Sequence, residues 1–106
     1  MNTKISYMYR DAGNYKNCGT VVAEGKLTNR QIEELKGFDQ FIAEQVGLAP
    51  LQEGEYNPEY DHPYHEVTDV ELTEEEPTIK MTAKQLYQAF TSVMKWDESL
   101  SGYSGF

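Results

Sequence analysis

The sequence predicts a small α+β domain: an antiparallel sheet of three to four short strands that begins with an N-terminal β-hairpin, one short helix, and an amphipathic C-terminal helix packed on the sheet. Three observations carry that expectation. Apolar and polar residues alternate near the N-terminus and again after residue 65, the period of a half-buried strand. Two capping boxes, Thr28-Asn29-Arg30-Gln31 and Thr82-Ala83-Lys84-Gln85, each announce a helix start. The 106 residues are 39% hydrophobic and 12% aromatic, with eight tyrosines, which is enough to build one core and too few residues for two domains.

The hairpin comes first. Ile5, Tyr7 and Tyr9 alternate with Ser6, Met8 and Arg10, which places the first strand near 3–10. Asp11-Ala12-Gly13-Asn14 are turn residues. The second strand is expected near 15–24, closed by Gly25. Thr28 then caps a helix whose apolar stripe is Ile32 and Leu35. Gly37 either ends that helix or interrupts it, since Phe38, Ile42 and Val46 would continue the same face. The break is the favoured reading, leaving 40–43 as a short strand before a turn at Gly47. Residues 52–65 are rich in Glu, Tyr, Pro and Gly, and Pro58 and Pro63 exclude a helix there, so the segment reads as an extended loop. A strand with imperfect alternation is expected at 66–72, then a turn at Glu74-Glu75-Glu76-Pro77. The helix opened by Thr82 aligns Ala83, Leu86, Tyr87, Phe90, Val93 and Met94 on one face, opposite Lys84, Gln88, Thr91 and Lys95. Residues 1–96 are expected to form the domain, and the Ser- and Gly-rich residues 97–106 a flexible tail.

Three separated strings, Tyr7-Met8-Tyr9-Arg10-Asp11 with Asn14-Tyr15-Lys16, Phe41-Ile42-Ala43-Glu44-Gln45-Val46-Gly47-Leu48, and Asp61-His62-Pro63-Tyr64-His65-Glu66, together resemble a family of small uncharacterised bacterial proteins. The resemblance spans roughly residues 4 to 72 and brings no assigned function. It implies an extended or turn-like segment at 41–48, which is the reason for placing a break at Gly37.

Charge is the strongest functional signal. Between Gly37 and Ile79 the chain carries twelve carboxylates and no lysine or arginine, while the remainder is slightly basic and the whole is −9. Such a field repels nucleic acid and anionic membranes and attracts basic partners. The expectation is a non-enzymatic acidic module that binds a basic protein, in its most concrete form a phage- or defence-related inhibitor that mimics nucleic acid. Its surface is drawn from Glu53, Glu55, Tyr56, Glu59, Tyr60, Asp61, Tyr64, Glu66, Asp69 and Glu71, where tyrosines add contact area among the carboxylates. The bland alternative is a solvated surface with a loop pinned by its aromatics.

The second reading is a metal-binding protein or metal-dependent enzyme. Asp61, His62, His65 and Glu66 offer ligand types suited to zinc, nickel or manganese, with His62 and His65 as the metal ligands and Asp11 or Glu44 as a third. Positions 62 and 65 fall on opposite faces of a strand, so one ion could take both only across a turn. The alternative is that these are polar loop residues bonded to Arg10, Lys16 or the backbone. Arg10, Asp11, Tyr15 and Lys16 read as a salt-bridged turn or as a binding edge for an anion. The lone Cys18 forms no internal disulfide, and as a nucleophile paired with His62 or His65 it lacks any supporting signature. No signal-peptide pattern or membrane-length apolar run is evident, and cytoplasmic residence is expected. A domain this small stands to gain from homodimerisation.

Overall fold

The computed structural model describes residues 1–101. Four antiparallel strands, β1 (Asn2–Arg10), β2 (Lys16–Ala23), β3 (Phe41–Ile42) and β4 (Tyr64–Thr73), form one sheet in the order β2-β1-β4-β3. Helices α1 (Asn29–Lys36), α2 (Ala43–Val46) and α3 (Ala83–Thr91) supply the second layer. The α+β expectation and the N-terminal hairpin therefore hold, and the two longest strand pairs are those of β1, with β2 and with β4.

Alternation sorts the two faces of the sheet. Ile5, Tyr7 and Tyr9 of β1 are buried, at 1%, 2% and 3% exposure, while Lys4, Ser6 and Arg10 point to the other face. The inner layer joins Ile5, Tyr7, Val21, Val67 and Val70 to Leu35 of α1, Phe41 of β3, Val46 of α2, and Leu86 and Phe90 of α3. Phe41 and Phe90 centre this core, with ring centroids 4.9 Å apart. The outer face carries Lys4, Ser6, Met8 and Arg10 opposite Val22, Thr20, Cys18 and Lys16 in register.

The imperfect alternation of β4 has a local cause. Ser6 pairs with Asp69 but Tyr7 pairs with Val67, so Thr68 is an extra residue in a β-bulge. The bulge shifts the inward phase by one, and His65 and Val67 before it face the same way as Val70 after it. Without the bulge, a strict period would have put either Val67 or Val70 into solvent.

Both capping boxes form as expected. Thr28 Oγ1 accepts from the Gln31 N–H and Gln31 Oε1 accepts from the Thr28 N–H, and Thr82 and Gln85 repeat the arrangement. Gly37 ends α1, and the following Phe38 carbonyl accepts from the Val67 N–H, which docks the connection on β4. The turn expected at Gly47 is the C-terminal cap of the short helix α2, which takes Ala43 out of the strand expected at 40–43. Gly47 sits in the left-handed region at φ 82°, and the Leu48 N–H bonds the Ala43 carbonyl.

The expected reach of the last helix is corrected. It ends at Thr91 with Ser92 as cap, so Val93 and Met94 do not extend its apolar face, and Met94 is wholly exposed. Ending there lets the chain turn and bring Trp96 edge-on to Phe38, at 6.3 Å, and against Phe41, at 6.5 Å. There the partly buried indole packs against the core, whereas Met94 finds no apolar contact. Of the segment expected to be a flexible tail, residues 98–100 form a 3-10 turn, the Asp97 N–H donates to Gln45 Oε1, and Ser101 is buried. The rest of the segment, 102–106, lies outside the described residues. No helix among the described residues is long and apolar enough to cross a membrane.

Candidate functional site: an anchored acidic loop

Residues 48–63 leave the end of α2 and return at the start of β4 as a long excursion without regular structure. An excursion of that length needs partners for its backbone. β1, β2 and β4 supply them from inward-facing side chains. Tyr7 Oη donates to the Ala49 carbonyl at 2.7 Å. The Leu51 N–H donates to His65 Nε2 at 3.0 Å, and Asn17 Nδ2 donates to the Leu51 carbonyl at 2.9 Å. Leu51 also lies over Gly19, where an added Cβ would come within 2.9 Å of Leu51 Cδ2. Gln52 Nε2 donates to the His62 carbonyl at 3.0 Å.

The far end of the loop is held by Asp61. Its Oδ1 accepts from Tyr9 Oη at 2.7 Å and its Oδ2 from the Asn57 N–H at 2.8 Å. Both oxygens of this carboxylate are therefore engaged in charge-assisted bonds. Burial first, and the Asp61 bond second, push the Tyr9 hydroxyl above its ordinary range, so it stays a donor. The Tyr60 carbonyl accepts from the Ala12 N–H at 3.0 Å, which fastens the loop to the hairpin tip. The tip itself is closed by Asp11 Oδ1 accepting from the Tyr15 N–H, with Asn14 at φ 65°.

His65 on β4 sits beneath this loop, and His62 belongs to its returning end. His65 is 2% exposed, with its ring 5.7 Å from Phe41, 6.0 Å from Tyr7 and 5.5 Å from Tyr9. Its Nε2 accepts from Leu51, so the neutral ring carries its proton on Nδ1, which donates to the Pro63 carbonyl at 3.3 Å. Burial lowers its pKa to about 4. His62 has the opposite tautomer. Its Nδ1 accepts from the Tyr64 N–H at 3.1 Å, and its Nε2 donates to the Arg10 carbonyl at 2.6 Å.

Those four bonds bear directly on the metal reading. Every ring nitrogen of His62 and His65 is committed to the backbone, and both Asp61 oxygens are filled. Of the two candidate third ligands, Asp11 closes the hairpin tip through Oδ1, and Glu44 lies on α2 with a buried Oε1 that has no hydrogen-bond partner among the described residues. Glu66 instead approaches Arg10 at 3.6 Å. Among the described residues no group of three or more His, Cys, Asp or Glu side chains could hold an ion. Cys18 is exposed on the outer face of β2, whereas His65 is buried on the inner face, so the two do not form a nucleophile and base.

The ten residues expected to form one acidic surface are divided in space. Glu53, Glu55 and Glu59 are exposed on the loop, and their carboxylates enter no ion pair among the described residues. Tyr60 is exposed beside them and Tyr56 is half-buried. Asp61 is an anchor. Burial first, and Glu98 second, raise the hydroxyl pKa of Tyr64. Glu66, Asp69 and Glu71 share the outer face of β4 with cations: Glu66 faces Arg10, Asp69 lies 3.9 Å from Lys36, and Glu71 acts on Lys4, whose own bond is to Glu75 at 2.8 Å. Of these ten, Glu53, Glu55 and Glu59 are the exposed loop carboxylates without an ion pair among the described residues; elsewhere in the acidic run Asp39, Glu44, Glu74 and Glu76 also enter none.

Sequence reasoning missed the anchors Tyr7, Tyr9, Asn17 and Gln52. The alternation did place Tyr7 and Tyr9 on the inner face, but a tyrosine there reads as core, and nothing local ties its hydroxyl to residues some forty or fifty positions away. No protein-family model, curated protein or solved structure matches the chain.

Proposed function

We propose that this protein is a non-enzymatic acidic binding module whose loop at residues 53–60 engages a basic protein partner, and that the partner is one that itself handles nucleic acid. The observation that carries this reading is the contrast between the loop's ends and its crest. At one end Tyr7 and Asn17 donate to the Ala49 and Leu51 carbonyls and His65 accepts from the Leu51 N–H; at the other Tyr9 donates to Asp61 and the Ala12 N–H to the Tyr60 carbonyl. Between those ends it presents Glu53, Glu55 and Glu59, exposed and without an ion pair among the described residues, with Tyr56 and Tyr60 in the same segment.

A preorganised loop loses little conformational entropy on binding, so more of the electrostatic attraction survives as affinity. Carboxylates held at fixed positions can stand in for phosphates in a groove lined with lysine and arginine, and the tyrosines contribute area and cation–π contact. Association of that kind is fast at low salt and weakens as salt rises. Asp61 supports the loop and does not face the partner. The alternative based on Asp61, His62, His65 and Glu66 as a metal site would require breaking the bonds that hold the loop. A stoichiometric transition metal in tag-free protein would restore it.

The test is capture from native lysate on immobilised protein, washed at low and then moderate salt, with wild type beside E53K/E55K/E59K. The expected result is a basic nucleic-acid-binding protein that wild type retains at low salt, releases as salt rises, and that the triple variant never retains. Equal retention by the variant, or recovery of no basic protein by wild type, overturns the proposal.

A further inference from the structure

β2 lies at the edge of the sheet. Both main-chain groups of Val22 point away from β1: its N–H donates to Thr78 Oγ1 at 2.8 Å and its carbonyl accepts from the Thr78 N–H at 2.8 Å. Strand geometry repeats every second residue, so the main-chain groups of Thr20, Cys18 and Lys16 point the same way. None of them has a hydrogen-bond partner on that side among the described residues. Residues 78–82 cover one end of the edge, where Glu24 also bridges to Thr82, and the other end turns back into the hairpin loop at Asn14. What remains is five residues of open strand, 16–20, with Lys16, Cys18 and Thr20 exposed.

We infer that this edge pairs with the same edge of a second copy of the chain, antiparallel, about a two-fold axis through Cys18. The charge distribution selects that occupant. Two copies at −9 each repel wherever carboxylates meet, but residues 12–23 contain no acid and one base, Lys16. The two-fold register sets Lys16 opposite the second copy's Thr20, so the single cation meets a hydroxyl and not another cation. It sets Cys18 opposite Cys18. The three outward residues on each strand then make about six main-chain hydrogen bonds. The pairing uses the whole open stretch and stops where Thr78 begins, since each strand curls away at Asn14 before reaching the covered end. The result is an eight-stranded sheet with both acidic loops free.

The edge side chains lie on the open outer face of the sheet, so replacing Cys18 leaves the core untouched. The experiment is sedimentation of the reduced, tag-free protein up to about 1 mM, a ceiling suited to a small, polar interface. Wild type is expected to show a dimer that grows with concentration. C18E and C18K are each expected to be monomeric through like charge across the axis, and an equimolar mixture of the two to dimerise again. At the dimer's Cα separation of about 5.5 Å, mild oxidation should also cross-link wild type through Cys18. A monomer at every concentration overturns the inference. So does a dimer that C18E and C18K leave intact, which would move the interface elsewhere on the chain.

Discussion

Acidification should destabilise this protein through one buried histidine. His65 is held neutral by its surroundings: Phe41, Tyr7 and Tyr9 pack against the ring, His62 adds a like-charge penalty, and its Nε2 already accepts the Leu51 N–H. Its pKa falls from 6.5 to about 4, with burial the largest cause. The unfolded chain therefore binds a proton more readily than the folded one between those values, and stability rises with pH across that window. The His65 contribution is fully present above pH 6.5, declines as pH falls, and is lost below about pH 4. A difference of about 2.5 pH units corresponds to ~3.4 kcal/mol in full, of which about 3 kcal/mol is lost between pH 7 and pH 4.

That loss is large beside the total stability of a small domain. Carboxylates also titrate at the low end of the window, so the measurement must be differential. Urea unfolding at several pH values is compared between wild type and His65→Gln, whose side-chain oxygen can still accept from Leu51 but cannot titrate. Wild type should lose about 3 kcal/mol more than the variant between pH 7 and 4. An NMR titration of the His65 ring should show no protonation down to about pH 5. Parallel pH profiles for the two proteins, or a His65 ring that titrates near 6.5, would refute the reasoning.

Three further outcomes follow from the packing. Tyr9→Phe removes the donor to Asp61 Oδ1 and should cost about 1.5 kcal/mol, the low end for a bond to a charged group because Asp61 is half-exposed and water can replace the hydroxyl; amide exchange should accelerate at Asn57 and Ala12 but not at Phe41. Gly47→Ala should destabilise by about 1 to 2 kcal/mol in denaturant unfolding, since φ 82° disfavours any Cβ and the new one would sit 2.8 Å from Met81 Cε. Phe90→Ala should cost about 3 to 5 kcal/mol while Met94→Ser stays within about 0.5 kcal/mol, a contrast that checks where α3 ends.

Much of the fold was legible because its signals are local. The capping boxes at Thr28 and Thr82, the alternation of Ile5, Tyr7 and Tyr9, and the turn residues 11–14 each state their structure within a few positions. The features that escaped depend on distant contacts. The C-terminal limit of α3 is set by where Trp96 must go, which helical periodicity through Val93 and Met94 cannot reveal. The bulge at Thr68 looked like noise in the alternation because its purpose, keeping both Val67 and Val70 inside, shows only when β1 is laid beside β4.

The same distinction decides how the acidic run should be understood. Twelve carboxylates in one stretch of sequence suggest a single charged surface, but a strand and a loop distribute their side chains differently. Along β4 the pleat sends Glu66, Asp69 and Glu71 to the outer face, where neighbouring elements place Arg10, Lys36 and Lys4. Charge there is met by charge, and each exposed pair adds little to stability or to the long-range field. On the loop, Glu53, Glu55 and Glu59 are exposed and meet no ion-pair partner among the described residues, so their charge is left to solvent. The anchors at its ends explain why the chain can hold that charge in place: a loop repelled by its own carboxylates would otherwise swing free, and the bonds it makes with Tyr7, Tyr9 and His65 oppose that. The histidines and tyrosines that first suggested chemistry thus serve as the floor on which the charge stands, and loosening that floor by acid at His65 should weaken the charged face together with the fold.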